Sequence, residues 1–369
     1  MIRASELSAD AESMSVKVRQ EIKDSRLDLI LAGFPKCGTT SFAHWLSQSP
    51  IISVSNPKET FLLCSEHHRQ SALAPEGSLV RCFAGVYKPQ RLEASTRNVY
   101  SEILLNEVRS LGHLKVILSF RDPAEAVISW HNQLVQGGEA LDAELETCWR
   151  RSIDERRSMD ERRSMDERQQ SQGEVSRQGE RLRLMQEYAS VCEFGFWMDK
   201  WQQAIGHERL LLVDASELQG ECASLRVRLN AFCQADLQLP SSPPVLNSYA
   251  SIRFESFYKK FKRSFFNQCL RDLERCFPRV SAVRRTVKEN FFRKSVSKNK
   301  HDSLKAELQE YFAADVERSR RLYDQNYQFW MNRSAAPNFD NPGQASPGDM
   351  LGSANGCDRG VAASQGLSK

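Results

Sequence analysis

The chain has 369 residues, 40% of them hydrophobic, and a formal net charge of +4. That length and apolar content allow a large buried core without disulfide or metal support, and so small a charge gives no reason to expect nucleic acid as a partner. The longest apolar runs, such as Leu27 to Phe34 and Val116 to Phe120, are strand-length and fall far short of the roughly 20 residues that span a bilayer.

Residues 1–25 are polar and charged and lack the apolar stretch of a signal peptide, so they are expected to form a flexible leader. A body follows over 26–333. Asp28 to Gly33 reads as a short buried strand, and Thr39 to Gln48 as the helix after it. Leu114 to Phe120 is a second strand, followed by a helix over Ala124 to Val135. Residues 150–183 form a hydrophilic interruption, in which Asp154 to Met159 recurs as Asp160 to Met165. Six steps of roughly 100° do not return to one helical face, so the repeat predicts an exposed, ion-paired helix or a loop. Glu187 to Ile205 predicts a helix, Arg209 to Asp214 a third strand, and Cys222 to Cys233 another helix. Residues 253–300 are expected to be helical and are strongly basic, with aromatics interleaved. A last helix is expected over Leu304 to Tyr323. The tail, 334–369, is rich in Ser, Ala, Gly, Asn and Pro and is expected to be disordered, because it cannot bury enough apolar surface to offset its ordering entropy. Short apolar strands alternating with helices predict an α/β fold of three layers, a parallel sheet with helices on both faces. Ten cysteines without a CxxC pair read as reduced, buried side chains, which points to a reducing compartment such as the cytoplasm.

The chemistry concentrates where strands end. Gly33-Phe34-Pro35-Lys36-Cys37-Gly38-Thr39-Thr40-Ser41 joins a strand to a helix through a glycine turn. Such a turn aims backbone N–H groups and the positive end of a helix at an anion. It is not the loop of nucleoside triphosphatases, which ends Gly-Lys-Ser/Thr; here Lys36 precedes Gly38. No strand is read as ending in an aspartate placed to hold Mg²⁺ beside Arg121.

The segment resembles the 5′-phosphosulfate loop of the sulfotransferase superfamily, with Cys37 at a position more often Ser or Gly. The resemblance continues through Lys58-Glu59-Thr60-Phe61 and through Val116 to Pro123 followed by Ser129, and it spans roughly Leu27 to Trp330. It implies 3′-phosphoadenosine 5′-phosphosulfate as sulfuryl donor, with no metal. Lys36, the backbone of Cys37, Gly38, Thr39, Thr40 and Ser41 would hold its 5′ end. Arg121 and Ser129 would grip its 3′-phosphate, and Arg253 adds a possible contact. The Lys58-Glu59 element looks like that of the heparan-sulfate-like and bacterial branch, in which the glutamate is the general base; carried over, Glu59 is the base and Lys58 polarises the site. His131 is the rival base. Glu93 to Thr96 with Tyr100 looks like the element lining the acceptor side, with Ala94 where part of the family has lysine. The acceptor so implied is a glycan or glycolipid.

Three readings of residues 253–300 stay open: a cover over the donor, a surface for an acidic glycan or anionic membrane, or helices packing their aromatics inward. Two other functions also stay open. One is a phosphotransferase of kinase type; the other is a non-catalytic protein binding a nucleotide or an anionic surface.

Overall fold

A computed structural model describes residues 4–64, 78–85, 87–137, 140, 144–166, 187–244, 251–252, 293–294 and 302–335. In chain order the elements are α1 (Ala4–Ser25), β1 (Leu29–Leu31), α2 (Thr39–Ser47), β2 (Ile52–Val54), β3 (Gln90–Glu93), α3 (Glu102–Leu111), β4 (Lys115–Phe120), α4 (Pro123–Gly137) and α5 (Leu145–Asp166). They continue with α6 (Tyr188–Val191), α7 (Phe194–Ile205), β5 (Leu210–Asp214), α8 (Ala223–Cys233), β6 (Ser251–Ile252), β7 (Arg293–Lys294), α9 (Asp302–Tyr311) and α10 (Ala313–Ala335).

Five strands form one parallel sheet in the order β2-β3-β1-β4-β5. Parallel strands need crossovers, and the crossover helices cover both faces. Successive β5 residues therefore bury on opposite sides. Leu210 and Leu212 join the core that holds Trp149, Phe194 and Trp201, whereas Leu211 and Val213 join the one that holds Trp45, Phe232 and Trp330. Because every strand points the same way, all the strand-end loops open on one edge of the sheet.

β5 is an edge strand, and an edge exposes unpaired backbone groups. Side chains close it. Asn326 accepts the Leu212 N–H and donates to the Leu210 carbonyl, both at 2.9 Å. Trp330 Nε1 also donates to Leu210, and the buried Arg228 donates to the Leu212 carbonyl at 3.2 Å. Asn326→Leu is expected to destabilise the fold by about 2–4 kcal/mol, since it strands a buried N–H and weakens the bonding of a carbonyl. Urea unfolding checks this, and a change within about 0.5 kcal/mol would contradict it.

Several expectations are corrected. The leader is a helix, because Met14, Val18 and Ile22 fall one turn apart and bury as a stripe. The predicted helix over Glu187 to Ile205 breaks at Cys192–Glu193, and Asp315 from α10 caps the second part by accepting the Gly195 and Phe196 N–H groups at 2.9 and 3.1 Å. The last helix divides at Phe312 and runs on to Ala335. Arg293–Lys294 is a strand, antiparallel to Ser251–Ile252, within the stretch expected to be helical. The hexapeptide repeat is helical to Asp166, on a helix anchored by the buried Leu145, Cys148 and Trp149. Arg253, the rest of the basic region and residues 336–369 lie outside the described residues. Seven cysteines are described, all buried and unbridged. Among the described residues no helix is long and apolar enough to cross a membrane.

Candidate active site

The register of the sheet carries β1 past its last residue. The Ala32 and Phe34 N–H groups still donate to Ile117 and Ser119 of β4, each at 3.0 Å. This zipper is why Gly33 is needed. A Cβ there would lie 2.1 Å from Ser119 Oγ and 2.7 Å from Thr39 Cγ2. Gly33→Ala is expected to destabilise the protein by about 1–3 kcal/mol through that overlap, seen as a lowered melting temperature; an unchanged one would contradict the close approach.

Beyond Phe34 the chain turns on two left-handed residues, Lys36 at φ 67° and Gly38 at φ 78°. For lysine this conformation costs about 1–2 kcal/mol, strain of the kind stored at functional loops. Gly38 is the N-cap of α2 and offers no side-chain acceptor, and the first helical turn carries no acid. The first N–H to find an intrahelical acceptor is that of Phe42, on the Gly38 carbonyl. The N–H groups of Gly38, Thr39, Thr40 and Ser41 lie at the helix start, ahead of that first intrahelical bond. The Cys37 N–H is turned inward to the Phe34 carbonyl at 3.3 Å, which stabilises the turn. Burial pushes the Cys37 thiol well above the usual range, against the opposing pull of Arg121 and Lys36.

Arg121, one residue past β4, reaches this loop. Its Nη1 donates to the Lys36 carbonyl at 3.2 Å, and its Nη2 pairs with Glu125. Its Nε is buried with no partner among the described residues. Lys36 Nζ donates to Gln133 Oε1 at 3.1 Å. Glu125, Ser129 and Gln133 are spaced four apart and so share one face of α4. Ser129 is thus bracketed by the partners of Arg121 and Lys36. Sequence reasoning missed Glu125 and Gln133, although their spacing from Ser129 was a usable signal.

Glu59 comes from the loop after β2. Its Oε2 accepts the Thr96 N–H at 2.9 Å and the Thr96 hydroxyl at 3.3 Å, and its Oε1 pairs with Lys58. Lys58 Nζ also reaches the Ala94 carbonyl at 2.9 Å and Thr39 Oγ1 at 3.5 Å. Lys58 thereby ties the carboxylate to the first residue of α2. Glu59, Lys58, Thr39 and the helix start form one cluster.

Two neighbouring side chains are tied into the fold. His131 is buried, its Nδ1 lying 3.0 Å from the Tyr188 hydroxyl, and it is two residues off the Ser129 face of α4. Tyr100 donates its hydroxyl to the Val191 carbonyl at 2.7 Å. One further correction concerns charge. A strand does end in aspartate beside Arg121, since Asp214 lies opposite Phe120 in the β4–β5 register. Sheet order alone puts it there. Asp214 caps the turn Ala215–Leu218, accepting the Ser216 N–H at 2.7 Å. Among the described residues no group of three or more His, Cys, Asp or Glu is placed to hold a metal ion.

A parallel sheet with an amide-lined turn after its central strand, a lysine in the turn and an arginine at the end of the next strand defines an α/β protein of the phosphate-loop class. The family model described as the sulfotransferase domain matches residues 26–326, and the chain belongs to that family. Membership makes it a transferase whose chemistry is sulfuryl transfer. Among solved structures, the crystal structure of a sulfotransferase from Alicyclobacillus acidocaldarius is similar with a TM-score of 0.50 at 16% identity, over 83% of this chain and 98% of that one. This likeness shows a shared fold. No curated protein matches the chain.

Proposed function

We propose that the protein transfers a sulfuryl group from 3′-phosphoadenosine 5′-phosphosulfate to a hydroxyl or amine of a carbohydrate. One observation carries the reading: Arg121 touches the Lys36 carbonyl while Lys58 joins Glu59 to Thr39, so the residues proposed for the two ends of a donor and for the base cluster at one helix N-terminus.

In this reading the amides of Gly38 to Ser41 take the 5′ end of the donor. Lys36 exchanges Gln133 for the oxygen that becomes the leaving group, where negative charge grows. The paired Nε and Nη2 edge of Arg121 takes the 3′-phosphate in place of Glu125, a planar fork matched to phosphate, and the Ser129 hydroxyl adds a donor. Arg253, outside the described residues, stays a proposed contact. Glu59 Oε1 keeps a lone pair beyond the one bond it accepts from Lys58, whereas Oε2 already accepts two from Thr96. The carboxylate takes the acceptor proton as the acceptor oxygen bonds to sulfur; the bond from sulfur to the 5′-phosphate oxygen breaks, and 3′-phosphoadenosine 5′-phosphate leaves. The Lys58-Glu59 element supports a carbohydrate acceptor.

The test is transfer of labelled sulfate from the donor to separate pools of glycans, glycolipids and small alcohols, with a chelator present. Label in the glycan pool is expected. Phosphate transfer from ATP with Mg²⁺, and no sulfate transfer to any pool, would overturn the reading.

A further inference from the structure

The carboxylate proposed as base is held by a second carboxylate that the reaction does not touch. Glu93, the last residue of β3, is completely buried. A buried carboxylate is costly unless its oxygens are bonded, and here both are. Oε1 accepts the Thr60 hydroxyl at 2.6 Å and the Ser95 hydroxyl; Oε2 accepts the Ser95 N–H at 3.1 Å and the Asn98 amide. Burial still pushes its carboxyl above the usual range, against the pull of those donors.

The partners of Glu93 are the two segments that build the Glu59 site. Thr60 is the residue after Glu59. Ser95 precedes Thr96, whose N–H and hydroxyl both meet Glu59. A second tie crosses the same gap, from the Phe61 N–H to Ser95 Oγ at 2.9 Å. Phe61 is held at φ 55°, a left-handed conformation that a non-glycine residue keeps only when its surroundings fix it. Glu93 thus binds the loop that carries the base to the turn that orients it, on a strand paired directly with β1 beneath the phosphate loop.

Resting on Glu59 as the base, we propose that Glu93 is its positioning residue: a buried carboxylate that locks the loop at Glu59–Phe61 to the turn at Ser95–Asn98 and so fixes where Glu59 Oε1 and Oε2 point. Glutamine keeps the size of Glu93 and replaces one acceptor oxygen with a donor, so two of the four donors lose their partner. A misplacement of about 1 Å costs about 100-fold in rate, so kcat is the parameter that should fall.

The experiment compares wild type with Glu93→Gln, Ser95→Ala and Glu59→Gln, using labelled donor and the glycan pool, with hydrogen exchange followed over peptides covering 56–62 and 94–98. Glu93→Gln is expected to lower the apparent kcat by about 10- to 100-fold, leave donor KM and the affinity for 3′-phosphoadenosine 5′-phosphate within about twofold, and speed exchange in those two peptides. Combined with Glu59→Gln it should add nothing further, because it acts through Glu59. Ser95→Ala retains the carboxylate and removes the two bonds of the Ser95 hydroxyl, to Glu93 and from the Phe61 N–H, and it decides the matter by the same kcat-against-KM split if Glu93→Gln does not fold. Unchanged kcat and unchanged exchange, or a loss that multiplies that of Glu59→Gln, would overturn the proposal. Full turnover by Glu59→Gln alone would instead remove the base assignment, and faster exchange in Glu93→Gln would still report the lock.

Discussion

Replacing Arg121 with alanine is expected to weaken binding of 3′-phosphoadenosine 5′-phosphate by roughly 100-fold, or about 2.7 kcal/mol. The size follows from geometry. The Arg121 side chain is 29% exposed, one guanidinium edge is fixed by the Lys36 carbonyl, and Nε is buried without a partner among the described residues. A phosphate meeting the Nε and Nη2 edge would form a charge-assisted, two-point contact, stronger than an exposed ion pair. The existing partner of Nη2, Glu125, is 45% exposed and can turn to solvent or to Lys305, 3.7 Å from its other oxygen. Calorimetry checks the loss. Adenosine 5′-phosphate, which lacks the 3′-phosphate, should bind wild type and variant within about twofold of each other. A loss of less than about threefold for the 3′-phosphorylated ligand would remove Arg121 from its site.

Glu59→Gln is expected to lower sulfate transfer by about 100- to 10,000-fold, the range for losing a positioned general base, while nucleotide affinity stays within about twofold. Glutamine preserves the acceptor oxygen for the Thr96 N–H and gives up the pairing with Lys58. The separation of binding from turnover identifies a group acting in the transition state. His131 is the alternative that would gain from retained transfer, but its burial and its contact with Tyr188 describe a histidine used for packing.

How far the sequence foretold this arrangement depended on how local each feature was. β1, β4 and β5 are legible because Leu29 to Leu31, Val116 to Leu118 and Leu210 to Val213 are uninterrupted apolar runs. β2 and β3 were missed: they are three and four residues long and carry Ser53, Gln90 and Arg91. Sheet order is a property of the whole chain, so the placement of Asp214 beside Phe120 could not be read from its neighbours. The leader hid its helix because, among its described side chains, only one apolar residue per turn, Met14, Val18 and Ile22, reaches the core. The break before α7 depends on Asp315, 120 residues from Gly195. In the site, Gly33 to Ser41 was readable as a local pattern. The contacts of Glu59 with Thr96 and of Arg121 with Lys36 required the fold. The inward turn of the Cys37 N–H required the loop itself.

The central claim is that this loop and Arg121 together receive a 3′-phosphorylated donor. Its most direct test is calorimetric titration of the wild-type protein, in chelator, with 3′-phosphoadenosine 5′-phosphate and with adenosine 5′-phosphate. Micromolar or tighter binding of the first is expected, a dissociation free energy of about 8 kcal/mol, with the second about 100-fold weaker. Equal affinity for the two nucleotides, or no heat from either, would contradict the account.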